Sequence, residues 1–446
     1  MSFVENYEQD ANRLKSKRFC REPSYFFSCD DIVARKMSKR DWLSQLANLS
    51  EVMYKQVDKT ILCLLVLAKN CSKFLLARLK INSFIFCFSL LVIAGAFFTP
   101  ISLLGVNRLH LLEKLEQSPP KWIRNQIDND LSPSYERGIS VNEINAVYAA
   151  QNPFNYLVKF TIANNKVSIE YKHSDCQSRA EIFHKQLSLL CSLVKMPDTV
   201  FLMSIHDAFN LSLSIPVFAM ALKKPYDFNI LIPDFDAITA GYQVISPKNI
   251  VAFEIPWNNK KDSLIWRGST AQASIYGHGE IRLDNIYDFS RVLLCEYSRK
   301  HPEIIDAGFT FYAQGAENIP FLQIYNKSKI SFSDQLLYKY HILVDGNTCP
   351  YSASGWKFFT NSLIFKPQSN NVQWYYSFLQ PYEHYIPVEN DLSDLMEKLE
   401  WAKEHDYQAS IIANNARQFA ISNLTVEDNI AYWYHLIMAY TLHLVD

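Results

Sequence analysis

Between Ile81 and Asn107 the chain carries no charged side chain, and the segment from Phe84 to Leu104, FIFCFSLLVIAGAFFTPISLL, is almost wholly apolar. Wound as a helix, that segment spans about 30 Å, the hydrocarbon thickness of a bilayer. Helices of globular proteins keep a polar face, so a run of this length reads as a transmembrane helix, with Pro100 tolerated near its far end. A cleavable signal would start near residue 1, whereas eighty residues rich in charge precede this run. Lys69, Lys73, Arg78 and Lys80 flank it on the N-terminal side, against Arg108 and Lys114 with Glu113 and Glu116 beyond it. By the positive-inside rule the N-terminus stays in the cytosol. The stretch Thr60 to Leu79, TILCLLVLAKNCSKFLLARL, contains three basic residues and reads as an interfacial amphipathic helix; the alternative is a second pass that closes a hairpin. The expected organisation is a polar and amphipathic region 1–80, a membrane helix 81–107 and two globular lobes, 108–240 and 241–446.

The remainder must be globular. With 446 residues, 49% of them hydrophobic, the chain can build two or three domains with a sizeable core. Lys+Arg 44 against Asp+Glu 45 leaves no global field to draw it to nucleic acid. Only eleven glycines occur, and neither a Walker loop nor a full GxGxxG is present, which argues against ATPase and dinucleotide-binding readings; bound phosphates would meet side chains and helix ends. Nine cysteines lack CxxC spacing, so no structural metal is expected, and Cys176, Cys191, Cys295 and Cys349 read as buried free thiols. Sequons at Asn210, Asn326 and Asn423 are too short to fix a compartment.

Beyond Pro119 and Pro120, a linker signal, YLVKFTI and VSIEY joined through Asn164 and Asn165 predict a β-hairpin. A helix from Gln177 to Leu193 and strands TVFLMSI, PVFAM and FNILIP then alternate as in an α/β lobe. A second series follows: a strand ending at Trp266, a helix around Phe289 to Arg299, a strand ending at Asp345, a helix near Gly355 to Thr360, the strand SLIF, a helix from Val372, the strand HYIPV and a helix opening at Ser393. Thr425 and Asp428 form a capping box for the last helix. Two α/β lobes with a cleft between them are the physical expectation.

Asp207 follows the apolar strand TVFLMSI, at the end where open α/β sheets bind ligands. Partial desolvation there raises a carboxyl's pKa and makes it a usable general base; the plain alternative is a turn or cap acid. WRGST ends another strand, with the five-donor fork of Arg267, close backbone approach at Gly268 and the hydroxyl of Ser269 all suited to a diphosphate, unless Arg267 is paired with a carboxylate. KYHILVDGN places Asp345 and Gly346 at a strand end, and Ser352 and Ser354 stand before the next helix, a plausible pyrophosphate cradle. Asp345 would otherwise hold a sugar hydroxyl or make the turn. The DFD triplet at Asp234 to Asp236 matches a frequent metal-binding pattern, but Pro233 signals a turn.

In their order, KWIRNQIDNDL, MPDTVFLMSIHD, WRGS, SRVLLCEYSRKHPEIIDAGFT, KYHILVDGN, NSLIFK and QPYEHYIPVENDLSDL resemble glycosyltransferase family 90, which includes protein O-glucosyltransferases, capsule xylosyltransferases and lipopolysaccharide-modifying enzymes. The similarity runs from about Lys121 to Leu444. The resemblance implies a GT-B-like pair of Rossmann-type lobes, 108–240 on the acceptor side and 241–446 on the nucleotide-sugar side, and an inverting, metal-independent transfer from a UDP-sugar without a cofactor. On it, Asp207 corresponds to the base, Arg267, Gly268 and Ser269 to the nucleotide-sugar motif, Arg291 to an Arg opening its helix, and Lys339 to a Lys-Tyr pair. Where animal members have a Ser-aromatic-Arg triplet, SASGWK has no Arg, and Lys357 is the nearest cation. The implied protein is a membrane-anchored transferase moving a hexose or pentose onto a hydroxyl of a protein or glycan; the rival is an inactive binding module of the same fold. Its bilayer would be that of an endoplasmic reticulum or Golgi compartment if the catalytic region is non-cytosolic, and otherwise a bacterial inner membrane.

Overall fold

A computed structural model describes residues 106–207, 211–226, 228–240, 255–271, 288–313 and 316–446. Most of the expected membrane helix, 81–105, and the 60–79 segment lie outside the described residues. Among the described residues no helix is long and apolar enough to cross a membrane.

The described chain begins with α1 (Arg108–Glu116), whose first turn is capped by the Asn107 side chain accepting from the His110 amide at 3.2 Å. Pro120 then stands at the N-cap of α2 (Lys121–Leu131). A short β1 (Ile139–Ser140) leads into α3 (Val141–Ala150), capped by Ser140. Next comes the hairpin of β2 (Leu157–Ala163) and β3 (Lys166–Tyr171). Its turn residues Asn164 and Asn165 have φ of 51° and 60°, the left-handed pair that a two-residue turn of this hand requires. α4 (Gln177–Leu193) coincides with its sequence expectation and precedes β4 (Thr199–Ser204). β5 (Val217–Ala219), β6 (Leu222–Lys223), β7 (Ile230–Leu231) and α5 (Phe235–Ala240) complete the first series.

The second series is β8 (Lys261–Ser269), α6 (Ser290–Lys300), β9 (Ile305–Phe311), α7 (Phe332–Gln335), β10 (Tyr338–Ile342), α8 (Ser352–Phe358), β11 (Leu363–Pro367), β12 (Asn371–Val372) and β13 (Ile386–Val388). It ends in α9 (Leu395–Glu404), α10 (Asp406–Asn423), α11 (Val426–Thr441) and β14 (Leu444–Val445).

Two five-stranded sheets organise these elements. The first has the order β3-β2-β4-β5-β7, antiparallel around β2 and parallel from β4 onward. The second, β13-β11-β10-β8-β9, is parallel throughout. A parallel strand needs cover on both faces, which explains why β4 and β11 are rich in consecutive apolar residues and why β10, despite Lys339 and His341, is buried along most of its length. β6 and β12 pair antiparallel and tie the carboxyl end of the β5 segment to that of β11.

Three expectations differ from the structure. The helix expected from Val372 is instead β12 followed by turns, because Val372 pairs with Leu222 and the next three side chains, Gln373, Trp374 and Tyr375, are all buried. The lobe 241–446 does not describe α11, which returns to the first sheet: Trp433 lies 6.1 Å from Phe201 and 5.8 Å from Phe218. The Tyr440 hydroxyl also donates to the Val200 carbonyl at 3.2 Å. β9 and α10 were not anticipated at all. The capping box at Thr425 and Asp428 is formed in both directions, and Cys176, Cys191, Cys295 and Cys349 are buried free thiols.

Candidate active site

β4 is buried along its whole length and delivers Asp207 just beyond its carboxyl end. The Asp207 carboxylate is 31% exposed and pairs with Arg179 of α4, whose Nη2 stands 2.8 Å from Oδ1. The same guanidinium donates from Nη1 to the Ile205 carbonyl at 2.7 Å and lies over the Phe235 ring at 4.5 Å. Three anchors of different kinds therefore fix its orientation. The carboxylate is paired with a cation, which the sequence reading, expecting only partial desolvation there, did not anticipate. The Asp207 backbone carbonyl accepts from Thr348 Oγ1 at 2.8 Å and from the Tyr351 hydroxyl, so the strand end of the first lobe is tethered to the loop that follows β10. Tyr351 itself holds φ 39° and ψ −115°, a sparsely populated conformation of the kind that clusters at functional sites.

The second group surrounds Arg291, at the start of α6. Its Nε donates to the Asp345 carbonyl at 2.7 Å, Nη1 to the Ser269 carbonyl at 3.0 Å and to its Oγ at 3.2 Å, and Nη2 to the Val344 carbonyl at 3.3 Å. This one side chain gathers Ser269, Asp345 and Gly346 at the carboxyl ends of β8 and β10. Burial pulls the guanidinium's pKa down to about 10. A Cβ on Gly346 would lie 2.7 Å from Arg291 Nη2, so the glycine makes room for the guanidinium. The Asp345 carboxylate turns away to accept from Asn371 Nδ2 at 2.8 Å, and burial raises its pKa.

Other residues singled out from the sequence are placed elsewhere. Arg267 forms a fork on Asp306, with Nη2 3.0 Å from both carboxylate oxygens; Lys327 at 2.7 Å and Tyr338 at 3.1 Å join the same carboxylate. It is the carboxylate-paired arginine of the alternative reading. Gly268 is required by packing, because a Cβ there would lie 2.3 Å from the Trp266 ring. Lys339 is the second residue of β10, about 20 Å of strand from Asp345, and pairs with Asp262 at 2.6 Å and Asp406 at 2.7 Å. Ser354 is fully buried, its one hydroxyl proton shared between the Tyr351 carbonyl at 2.7 Å and Gln373 Oε1 at 3.1 Å, and it receives the Tyr375 hydroxyl at 3.0 Å. Ser352 opens α8, which has only seven residues. Lys357 is buried, its ammonium donating to the Ile342 carbonyl at 2.9 Å, and burial with the neighbouring Arg291 charge lowers its pKa to about 7.

Asp234 of the DFD triplet is a helix cap: Oδ1 accepts from the amides of Asp236 and Ala237 at 3.0 and 3.1 Å, and Oδ2 from Gln373 at 3.1 Å. Among the described residues no group of three His, Cys, Asp or Glu side chains is placed to hold a metal. Sequence reasoning missed Arg179, Thr348 and Tyr351. Thr348 directly follows the DGN motif and Tyr351 stands three residues further on, which could have drawn attention to them; Arg179 lies in an ordinary helical stretch and carries no signal.

A strand-end carboxylate of the first sheet is thus tethered through its backbone to the loop that follows β10, close in sequence to the strand-end turn that Arg291 gathers in the second. The chain belongs to glycosyl transferase family 90, whose sequence model matches residues 116–445. It is 27% identical over 354 residues to Protein O-glucosyltransferase 2 of Danio rerio, covering 74% of this chain and 64% of that protein. To Protein O-glucosyltransferase 3 of Homo sapiens it is 30% identical over 185 residues, 41% of this chain and 32% of the relative. To Protein O-glucosyltransferase 1 of Homo sapiens it is 24% identical over 333 residues, 71% and 78% of the two chains. The chain thus spans less than two thirds of the length of the first two. A solved structure, that of TarM, overlaps 41% of the chain at a TM-score of 0.30 and 12% identity, too slight a likeness to bear on the fold.

Proposed function

We propose that this protein is an inverting glycosyltransferase of GT-B-like architecture that moves a sugar, glucose being the first candidate, from a UDP-sugar to a protein hydroxyl. The observation that carries the reading is Asp207, set at the carboxyl end of β4 and tied to the 348–351 loop of the second lobe, in a chain that matches the family over residues 116–445. Asp207 takes the proton of the acceptor hydroxyl; the oxygen attacks the anomeric carbon from the face opposite the diphosphate; the bond from that carbon to the phosphate oxygen breaks and UDP departs. Arg179 is a positioning residue that aims the carboxylate. Arg291, a buried cation near the ends of β8 and β10, supplies the positive field that favours charge growing on the leaving diphosphate, and Lys357 adds to it where it is protonated, below about pH 7. Arg267 and Lys339 support the fold through their carboxylate pairs and are not part of this field.

The names of the relatives support the sugar and the acceptor class, and the uncharged run 81–107 supports a membrane anchor with a cytosolic N-terminus. With a single span the lobes would work in a lumen supplied with sugar nucleotides; with a second pass over 60–79 they would return to the cytosol. The absence of an arginine from SASGWK favours a second reading, a non-catalytic sugar-nucleotide module. Incubating the full chain with UDP-glucose and a serine-bearing acceptor domain in excess EDTA, then reading product mass and anomeric configuration, tests the proposal. Inverted product is expected; retained configuration, or transfer only after Mn²⁺ is restored, contradicts the mechanism, and donor binding without turnover favours the module.

A further inference from the structure

A groove separate from Asp207 runs along α2. It has two neighbouring compartments of about 560 and 350 Å³ that share Gln126, Asn129 and Ser377 as walls. Each lies in the size range of ligand sites. The opposite wall is the 370–384 segment with Lys224 and Tyr226. β12 separates the groove from the Arg291 turn: Asn371 sends its side chain to Asp345, whereas Asn370 and Val372, its neighbours on either side, line the groove. Successive strand residues face opposite ways, so one short strand divides the two regions.

The groove's chemistry is specific. On α2, Trp122, Asn125 or Gln126, and Asn129 recur at helical spacing and form a strip about 10 Å long. Asn125, Asn129, Asn370 and Ser377 are exposed, and among the described residues their side chains make no hydrogen bond to protein. Each amide offers both donors and acceptors, as a hydroxyl needs. The aromatic wall is rigid, since Trp122 donates its indole N–H to Asn423 at 3.0 Å and stacks on Trp374 at 5.5 Å. The floor is built as well: Asp130, 3% exposed, accepts from Gln126 at 3.0 Å, Tyr226 at 3.1 Å and the Leu231 amide at 2.9 Å. Among the described residues Lys224 is the one lysine or arginine of the two linings and Glu383 offsets it, so no excess of positive charge favours a phosphate.

We infer that this groove is a saccharide-binding site for a neutral oligosaccharide of two or more units, distinct from the transfer centre. Paired donor–acceptor amides read ring hydroxyls, while Trp122, Tyr226 and Phe378 meet the apolar faces of the rings. The inference does not rest on the proposed reaction and survives its failure. The test is saturation-transfer NMR on the full chain with maltotriose, chitotriose and xylotriose as probes, alone and with UDP or inorganic phosphate. At least one saccharide is expected to bind, unaffected by UDP, and Asn129→Trp, which fills the shared wall, raises its Kd about tenfold or more. Asn129 is exposed, and an unchanged melting temperature confirms that the variant folds; if it does not fold, the milder Asn129→Ala with Asn370→Ala serves, with the same weakening expected. Binding of none of the probes, binding that either variant leaves intact, displacement by UDP, or preference for phosphate over every saccharide each overturns it.

Discussion

Gly346→Ala tests whether the Arg291 turn is built as described. The new Cβ would lie 2.7 Å from Arg291 Nη2 and 3.3 Å from Cζ, so one of the two must move. The guanidinium is held by the carbonyls of Asp345 at 2.7 Å, Ser269 at 3.0 Å and Val344 at 3.3 Å, and the bond to Val344, the longest, gives way first. Overpacking a filled site costs about 1–3 kcal/mol and losing one charge-assisted hydrogen bond about 1.5–3 kcal/mol. Because the two are partly alternative ways of relieving one clash, a destabilisation of about 3 kcal/mol is expected in urea unfolding. Gly346 does not hold a positive φ, so the cost is steric and not conformational. Arg291→Met removes the obstacle, and in that background Gly346→Ala should cost far less, a coupling that a double-mutant cycle reads directly. If the single alanine variant lost less than about 0.5 kcal/mol, or cost the same with and without Arg291, the clash would not exist and the account of the turn would be wrong.

Two buried groups give opposite pH signatures. Asp130 has its pKa raised to about 7 by burial, so the native state binds the extra proton; its contribution to stability is complete below about pH 4 and declines as pH rises toward 7, by at most about 1.4 kcal/mol per unit. Unfolding of wild type and Asp130→Asn across that window should diverge in slope, and parallel profiles would refute the assignment. Lys357, pulled down to about 7, loses its proton on folding above that pH, so its contribution grows between about pH 7 and 10 and disappears below it. Lys357→Met should flatten that rise while lowering affinity for UDP, and a variant that keeps both the wild-type slope and the wild-type affinity removes Lys357 from the site.

How much could be read from the sequence depended on whether the signal was local. The hairpin at Asn164 and Asn165, the helix Gln177–Leu193 and the capping box at Thr425 were legible because turn chemistry, periodicity and caps are short-range. β12 was misread as a helix because its identity comes from β6, far away in the chain, and the return of α11 to the first sheet likewise depends on partners such as Phe201 and Phe218. The site divides in the same way. Asp207, Arg291, Ser269, Asp345 and Gly346 stand at strand or helix ends that hydrophobic patterning locates. Arg267 was equally well placed by pattern, but its partner Asp306 lies on a strand that the pattern did not reveal, and only the folded register shows the fork already formed. Arg179 was invisible because nothing in its helix distinguishes it from a surface arginine until Asp207 is brought beside it.

The central claim is that Asp207 is the base, and Asp207→Asn tests it most directly. The amide keeps the size of the side chain and the backbone tether to Thr348 and Tyr351 but cannot take a proton. Transfer from UDP-glucose, measured with the full chain under single-turnover conditions beside UDP binding by calorimetry, should fall by about a hundredfold or more while UDP affinity stays nearly unchanged. Transfer within about threefold of wild type, with the same affinity, would contradict the account.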